Sequence, residues 1–172
     1  MEQTLSQQQE AGKCIQSGFT LVEVLVVIAI IGILAMIAIP SYSDSIDRQR
    51  IKSAAETLAA DLRWAKAESS RRNTNITVTF TTGASWSYTI QANKADGTKE
   101  TLRTVNNVDF VNVSVNQTTF GSNDFEIDYI RGTVGDNGSV VFKTSRGNTA
   151  TVTVSALGRV RICGFGGYPA CS

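Results

Sequence analysis

The sequence has no histidine in 172 residues. That removes the commonest general base and the commonest metal ligand. Serine is abundant, yet no nucleophile–base constellation can be assembled from spacing. There is no phosphate-binding or dinucleotide loop either: Gly164, Gly166 and Gly167 follow Cys163 in a tail and precede no helix. No internal repeat and no long disordered linker interrupts the chain. An enzyme is therefore not expected, and no cofactor is implied. Cysteine is sparse, at three. Cys14 precedes the long apolar run; Cys163 and Cys171 lie eight apart near the end. They could form a disulfide or a two-cysteine metal site, but with no histidine and no second cysteine pair tetrahedral zinc is poorly supported, and no metal site is expected.

What is present begins with one long apolar run. Phe19 to Ile39 is 21 residues with a single charge, Glu23, and Pro40 closes it. At about 1.5 Å per residue such a helix spans the roughly 30 Å hydrocarbon core of a bilayer. It could also be a buried core helix, but no other segment is apolar enough to enclose it. A carboxylate inside hydrocarbon is costly unless partnered, so Glu23 reads as a functional residue.

After Pro40 the helical pattern resumes. Ile51, Ala55, Leu58, Leu62 and Ala65 recur at spacings of three and four, the face of an amphipathic helix ending near Arg72. From Asn75 the period becomes two. Strands are expected around 76–80, 86–90, 102–105, 108–115, 125–130, 140–143, 150–156 and 159–163, with turns at Ala95–Thr98 and Asp136–Ser139. Short β-branched strands between turn signals suggest packed antiparallel sheets. The fold class expected is α+β: a long N-terminal helix carrying a small antiparallel β-sandwich. Trp86, Tyr88, Phe110 and Phe125 read as packing residues. Asp124, Glu126 and Asp128 alternate along one strand and would share a face, but no glycine-containing calcium loop surrounds them.

The net charge is only +1, but it is unevenly spread. Residues 106–130 hold four acids and no base, whereas 131–172 hold Arg131, Lys143, Arg146, Arg159 and Arg161 against Asp136 alone. A basic end can mark an anionic partner or be an ordinary solvated face. The sharper signal is Gly158-Arg159-Val160-Arg161. In an extended segment Arg159 and Arg161 point to one side, roughly 7 Å apart by strand rise. That is close to the phosphate repeat along one nucleic-acid strand. Guanidinium forks bind phosphate bidentately, and Gly158 lets the backbone turn without a Cβ clash. No aromatic residue alternates with the arginines, so any contact is with phosphates, non-specific and salt-sensitive. The alternative is a terminal strand with surface arginines, or a subunit contact.

Gly18-Phe19-Thr20-Leu21-Val22-Glu23, with Pro40 downstream, resembles the prepilin signal of type IV pilins and type II secretion pseudopilins. The resemblance implies cleavage by a prepilin peptidase after Gly18, N-methylation of Phe19, and pairing of Glu23 with the terminal amine of a neighbouring subunit during assembly. It implies four segments: a leader over 1–18, a transmembrane and assembly helix over 19–40, its amphipathic continuation over 41–73, and a β domain over 74–172. The mature domain would lie outside the cytoplasm, where a Cys163–Cys171 disulfide persists.

Leu62–Glu68, Arg71–Asn73 and Gly147–Cys163 further resemble the GspH/FimT family of minor pilins. FimT-type members bind duplex DNA in natural transformation through a C-terminal G-R-x-R motif, which falls here on Gly158, Arg159 and Arg161. Arg131, Lys143 and Arg146 would extend the patch. FimU-type members prime pilus assembly at the tip, and GspH-type members belong to the type II secretion pseudopilus. The implied partners are double-stranded DNA, other major and minor pilins, the peptidase, and the inner membrane. The implied location is a single-pass inner-membrane protein with a periplasmic domain, later at the extracellular pilus tip.

Overall fold

The computed structural model describes residues 19–171; residues 1–18, where the leader and Gly18 as its cleavage position are expected, lie outside the described residues. The chain divides into two units at Pro40/Ser41. Helix α1 (Leu21–Arg72) runs through both.

In the first unit the helix starts on a side-chain cap. The backbone N–H of Glu23 donates to Thr20 Oγ1 at 3.2 Å. A threonine capping the helix with a glutamate three residues on is the capping-box arrangement, which suits an acid near the positive end of the helix dipole. The apolar side chains from Phe19 to Ile37 are largely exposed, and the helix is long and apolar enough to cross a membrane.

In the second unit α1 buries Ile51, Ala54, Ala55, Leu58, Ala59, Leu62 and Ala65. Four of these are alanines, so the helix axis can lie close to what it packs on. Among the described residues eight strands follow: β1 (Ile76–Thr81), β2 (Ser87–Asn93), β3 (Lys99–Asn106), β4 (Val113–Thr118), β5 (Asp124–Ile127), β6 (Gly138–Thr144), β7 (Thr149–Val154) and β8 (Val160–Cys163). They form two antiparallel sheets, ordered β3-β2-β1-β5 and β4-β6-β7-β8. Inward positions alternate as period two requires: Ile76, Val78 and Phe80 on β1, Tyr88, Ile90 and Ala92 on β2, Ala150, Val152 and Val154 on β7. Together with the helix face they make one hydrophobic cluster.

Trp86 and Phe142 join the two sheets edge to face, with ring centroids 5.3 Å apart, and the indole N–H of Trp86 donates to Val113 O on β4 at 2.9 Å. Trp86, Tyr88, Phe110 and Phe125 are all buried. Asp61, on the helix and 3 % exposed, accepts from the Tyr88 hydroxyl at 2.7 Å and pairs with Arg103 at 2.9 Å. A buried carboxylate is tolerated only with such partners.

Two segments depart from the sequence expectation. The strand expected from Val108 starts at Val113, because Asn106 caps a 3-10 turn over Asn107–Asp109 through Val108 N. The local polar cap outcompetes β pairing there. The strand expected to reach Ile130 stops at Ile127, because the Asp128 carboxylate turns the chain by accepting from Ile130 N and Arg131 N at 2.8 and 2.7 Å. Glu126 accepts from the side-chain amides of Asn75 and Asn93, so both acids already have donors.

Candidate nucleic-acid interface

The segment 155–163 owes its geometry to a tight turn feeding edge strand β8. Gly158 N donates to Ser155 O at 2.7 Å, Ser155 N donates to Arg159 O at 3.1 Å, and Arg159 N donates to Ser155 Oγ at 3.2 Å. Gly158 has φ +67, and a Cβ there would sit 2.3 Å from Gly132 O. Gly158 is also buried. The constraint on Gly158 within G-R-V-R is therefore conformational. Arg161 pairs in register with Thr153, on the outward side of the sheet, and Arg159 and Arg161 are both exposed.

The two arginines border a groove of about 420 Å³. Thr153 and Ser155 contribute hydroxyls to it, and Pro169, Ala170 and the Cys163–Cys171 disulfide form a wall. The tail is folded back by Gly164 N donating to Pro169 O and by the Tyr168 hydroxyl donating to Glu56 Oε1 at 2.6 Å. That bond to a carboxylate raises the Tyr168 hydroxyl above its ordinary pKa.

Arg131 lies on the loop 128–134, which touches the 155–159 turn through Val134 N and Ala156 O at 2.9 Å. The Gly132–Gly158 approach places Arg131 and Arg159 one residue from that contact on each side. The backbone contact thus sets the loop that carries Arg131 beside the turn that carries Arg159.

Arg146 does not join them. It sits in the β6–β7 turn, donates to Ser43 O at 3.1 Å and pairs with Asp47, which is 1 % exposed. Asn148 donates to Asp44 at 3.0 Å beside it. Lys143 is exposed at that end of β6, opposite Thr149 in register. The residues of α1 beside the Arg159 turn are Arg63 and Lys66. From Asp47 to Lys66 is 19 residues, or about 28 Å along a helix. The expected patch of five basic residues is therefore two groups. Arg146 is occupied because a buried carboxylate needs its charge.

Partnering separates the arginines further. Arg48, Arg50, Arg71, Arg72, Arg103 and Arg146 pair with acids, and Arg63 donates to Val160 O at 3.4 Å. Among the described residues Arg131, Arg159 and Arg161 make no side-chain hydrogen bond or ion pair. An anion binding there displaces no internal partner. Sequence reasoning missed Lys66, whose ammonium reaches Leu157 O at 3.0 Å. Ninety-one residues separate the two, and no local pattern encodes that pairing.

The profile of the family described as Type II transport protein GspH matches residues 54–158, more than half of the chain. The chain belongs to the GspH family. A second profile, the prokaryotic N-terminal methylation motif, matches residues 14–39. The GspH match ends at Gly158, one residue before Arg159. Curated relatives align over short segments. Fimbrial protein EcpC of Eikenella corrodens is 55% identical over 42 residues, 24% of this chain and 28% of that protein. A fimbrial protein of Moraxella nonliquefaciens is 58% identical over 48 residues, 28% of this chain and 30% of that protein. The chain thus spans less than a third of the length of these relatives. In structure it is similar to the type IV minor pilin FimU of Pseudomonas aeruginosa, with a TM-score of 0.54 and 18% identity over 67% of this chain and 89% of that one. A second crystal form gives 0.51, over 65% and 91%. The pilin-like fold of the GspH family member is thereby shown, and its methylation motif and apolar helix fit a membrane anchor.

Proposed function

We propose that this GspH-family chain is a minor type IV pilin that binds duplex DNA non-specifically through Arg159 and Arg161, with Arg131 beside them. The observation that carries this reading is a set of three unpartnered, exposed guanidiniums, Arg131 and Arg159 on two touching loops and Arg161 on the adjoining strand β8. Each guanidinium can grip a phosphate with two parallel N–H donors. The groove hydroxyls of Thr153 and Ser155 add neutral donors. Three phosphate contacts would give a salt slope of about −2.7 in log K against log salt. Binding of this kind serves uptake of extracellular DNA in natural transformation, with the domain at or near the pilus tip.

The N-terminal part follows the same reading. A prepilin peptidase removes 1–18 after Gly18, Phe19 is N-methylated, and residues 19–40 anchor the subunit in the inner membrane with 41–172 in the periplasm. In the fibre Glu23 pairs with a neighbour's terminal amine. Glu23→Ala would then cut incorporation into pili while the domain stays folded; normal incorporation removes this role.

The test of DNA binding is fluorescence anisotropy of duplex DNA with the full chain in nonionic detergent at two salt concentrations. Arg159→Gln/Arg161→Gln should weaken binding and flatten the slope by about 1.8. Equal affinity and slope at equal stability overturn the assignment. A second reading is an assembly subunit, of pilus tip or type II pseudopilus. It is favoured by Ile130 and Leu157, which stand 74 and 70 % exposed beside these arginines and suit a protein contact. It expects loss of fibres on deletion and no DNA affinity.

A further inference from the structure

Lys66 occupies an unusual position. It stands on α1, and its stem borders a small apolar cavity with Leu62, Val134 and Val160. The ammonium emerges between two glycines. A Cβ on Gly132 would lie 2.7 Å from Lys66 Cε, and one on Gly158 would lie 2.9 Å from Lys66 Nζ. Both glycines have positive φ, +62 and +67. The ammonium donates to Leu157 O at 3.0 Å and to Gly158 O at 3.5 Å. One turn earlier on the helix, Arg63 donates to Val160 O. The backbone on either side of Arg159 is thus bolted to α1, and the loop of Arg131 is wrapped around the same lysine. Among the described residues Lys66 pairs with no carboxylate.

We propose that Lys66 is the positioning residue of the basic site: threaded between Gly132 and Gly158, it fixes the loops that carry Arg131 and Arg159 so that the guanidiniums are presented already ordered. This rests on the nucleic-acid reading for what the arginines bind, not for how they are held. A loop ordered before binding loses less entropy on binding. A residue that acts through backbone carbonyls changes affinity without adding a phosphate contact, so it leaves the salt slope alone.

The experiment compares the full chain in nonionic detergent with Lys66→Met and Lys66→Arg. Duplex affinity is measured at two salt concentrations, and amide hydrogen exchange is followed over 155–160. For Lys66→Met, the expected result is about tenfold weaker binding with an unchanged salt slope. Faster exchange at the amides of 158–160 should accompany it, and Lys66→Arg should restore much of both. A slope flattened by about 0.9 would make Lys66 a direct phosphate ligand and overturn the proposal. Unchanged affinity in a chain that binds DNA overturns it too. If the unsubstituted chain binds no DNA, the nucleic-acid reading fails by itself. The exchange measurement then decides the clamp: unaltered protection at 158–160 in Lys66→Met refutes it.

Discussion

Replacing Gly158 by alanine adds one carbon at the most crowded backbone position of the site. Two separate effects follow. Holding a residue with a Cβ at φ +67 costs about 1–2 kcal/mol. The new Cβ would also sit 2.3 Å from Gly132 O, about 1 Å inside ordinary contact. Its neighbour is backbone, itself wedged against Lys66, so it cannot swing aside as a side-chain tip would. Over-packing of this kind costs about 1–3 kcal/mol, giving about 2–5 kcal/mol in all. Gly147→Ala supplies the control. Gly147 has φ +88 but no atom within 4 Å of a built Cβ, so it carries the backbone penalty alone. Urea unfolding of the full chain in nonionic detergent, followed by fluorescence of buried Trp86, separates the two. With m about 1–3 kcal/mol/M, the Gly158→Ala midpoint should fall below that of Gly147→Ala by about 1 M. Equal midpoints would refute the steric argument and, with it, the tight Gly132–Gly158–Lys66 contact.

Three further outcomes are expected. Glu68 accepts from Arg71 and Arg72 at 2.5–2.7 Å, and these bonds, Arg71 first, pull its pKa down to about 2. A depressed pKa means the unfolded chain binds the proton more readily, so stability is full above about pH 4.5 and is lost as pH falls toward 2. Melting temperature across pH 7 to 2.5 should therefore drop less steeply in Glu68→Gln, and parallel curves would count against the pairing. Tyr88→Phe removes one of the two donors to buried Asp61, where burial and the Asp61 bond hold the tyrosine hydroxyl above its ordinary pKa. It should lose about 1–3 kcal/mol in urea unfolding; no loss would show that Arg103 alone satisfies the carboxylate. Arg146→Gln should lower stability by stranding Asp47 while leaving DNA affinity and salt slope unchanged. A flattened slope would return Arg146 to the binding surface.

Features carried by neighbours along the chain were legible in the sequence. The apolar run, the three-and-four spacing of Ile51–Ala65 and the period-two strands depend on one turn of helix or one strand at a time. The Cys163–Cys171 bridge spans eight residues. Local order follows local composition, so α1 ends at Arg72 as the pattern predicts, and Tyr88 and Phe125 are buried at alternating strand positions. Val108–Asn112 failed as a strand because one asparagine cap, equally local but not periodic, redirected the backbone.

Membership of the site was decided only in three dimensions. Arg131 and Arg146 are equally basic, and along the chain Arg146 is the nearer to Arg159. Strand register and the docking of α1 set the 128–134 loop against the Arg159 turn and carry the β6–β7 turn to Asp47. Burial then made Asp47 claim Arg146, whereas Arg131, Arg159 and Arg161 were left without an internal acid. Lys66 came to the site from 91 residues away. Such pairings depend on which surfaces meet and which charges lose water, and that is settled by packing, not by the order of residues along the chain.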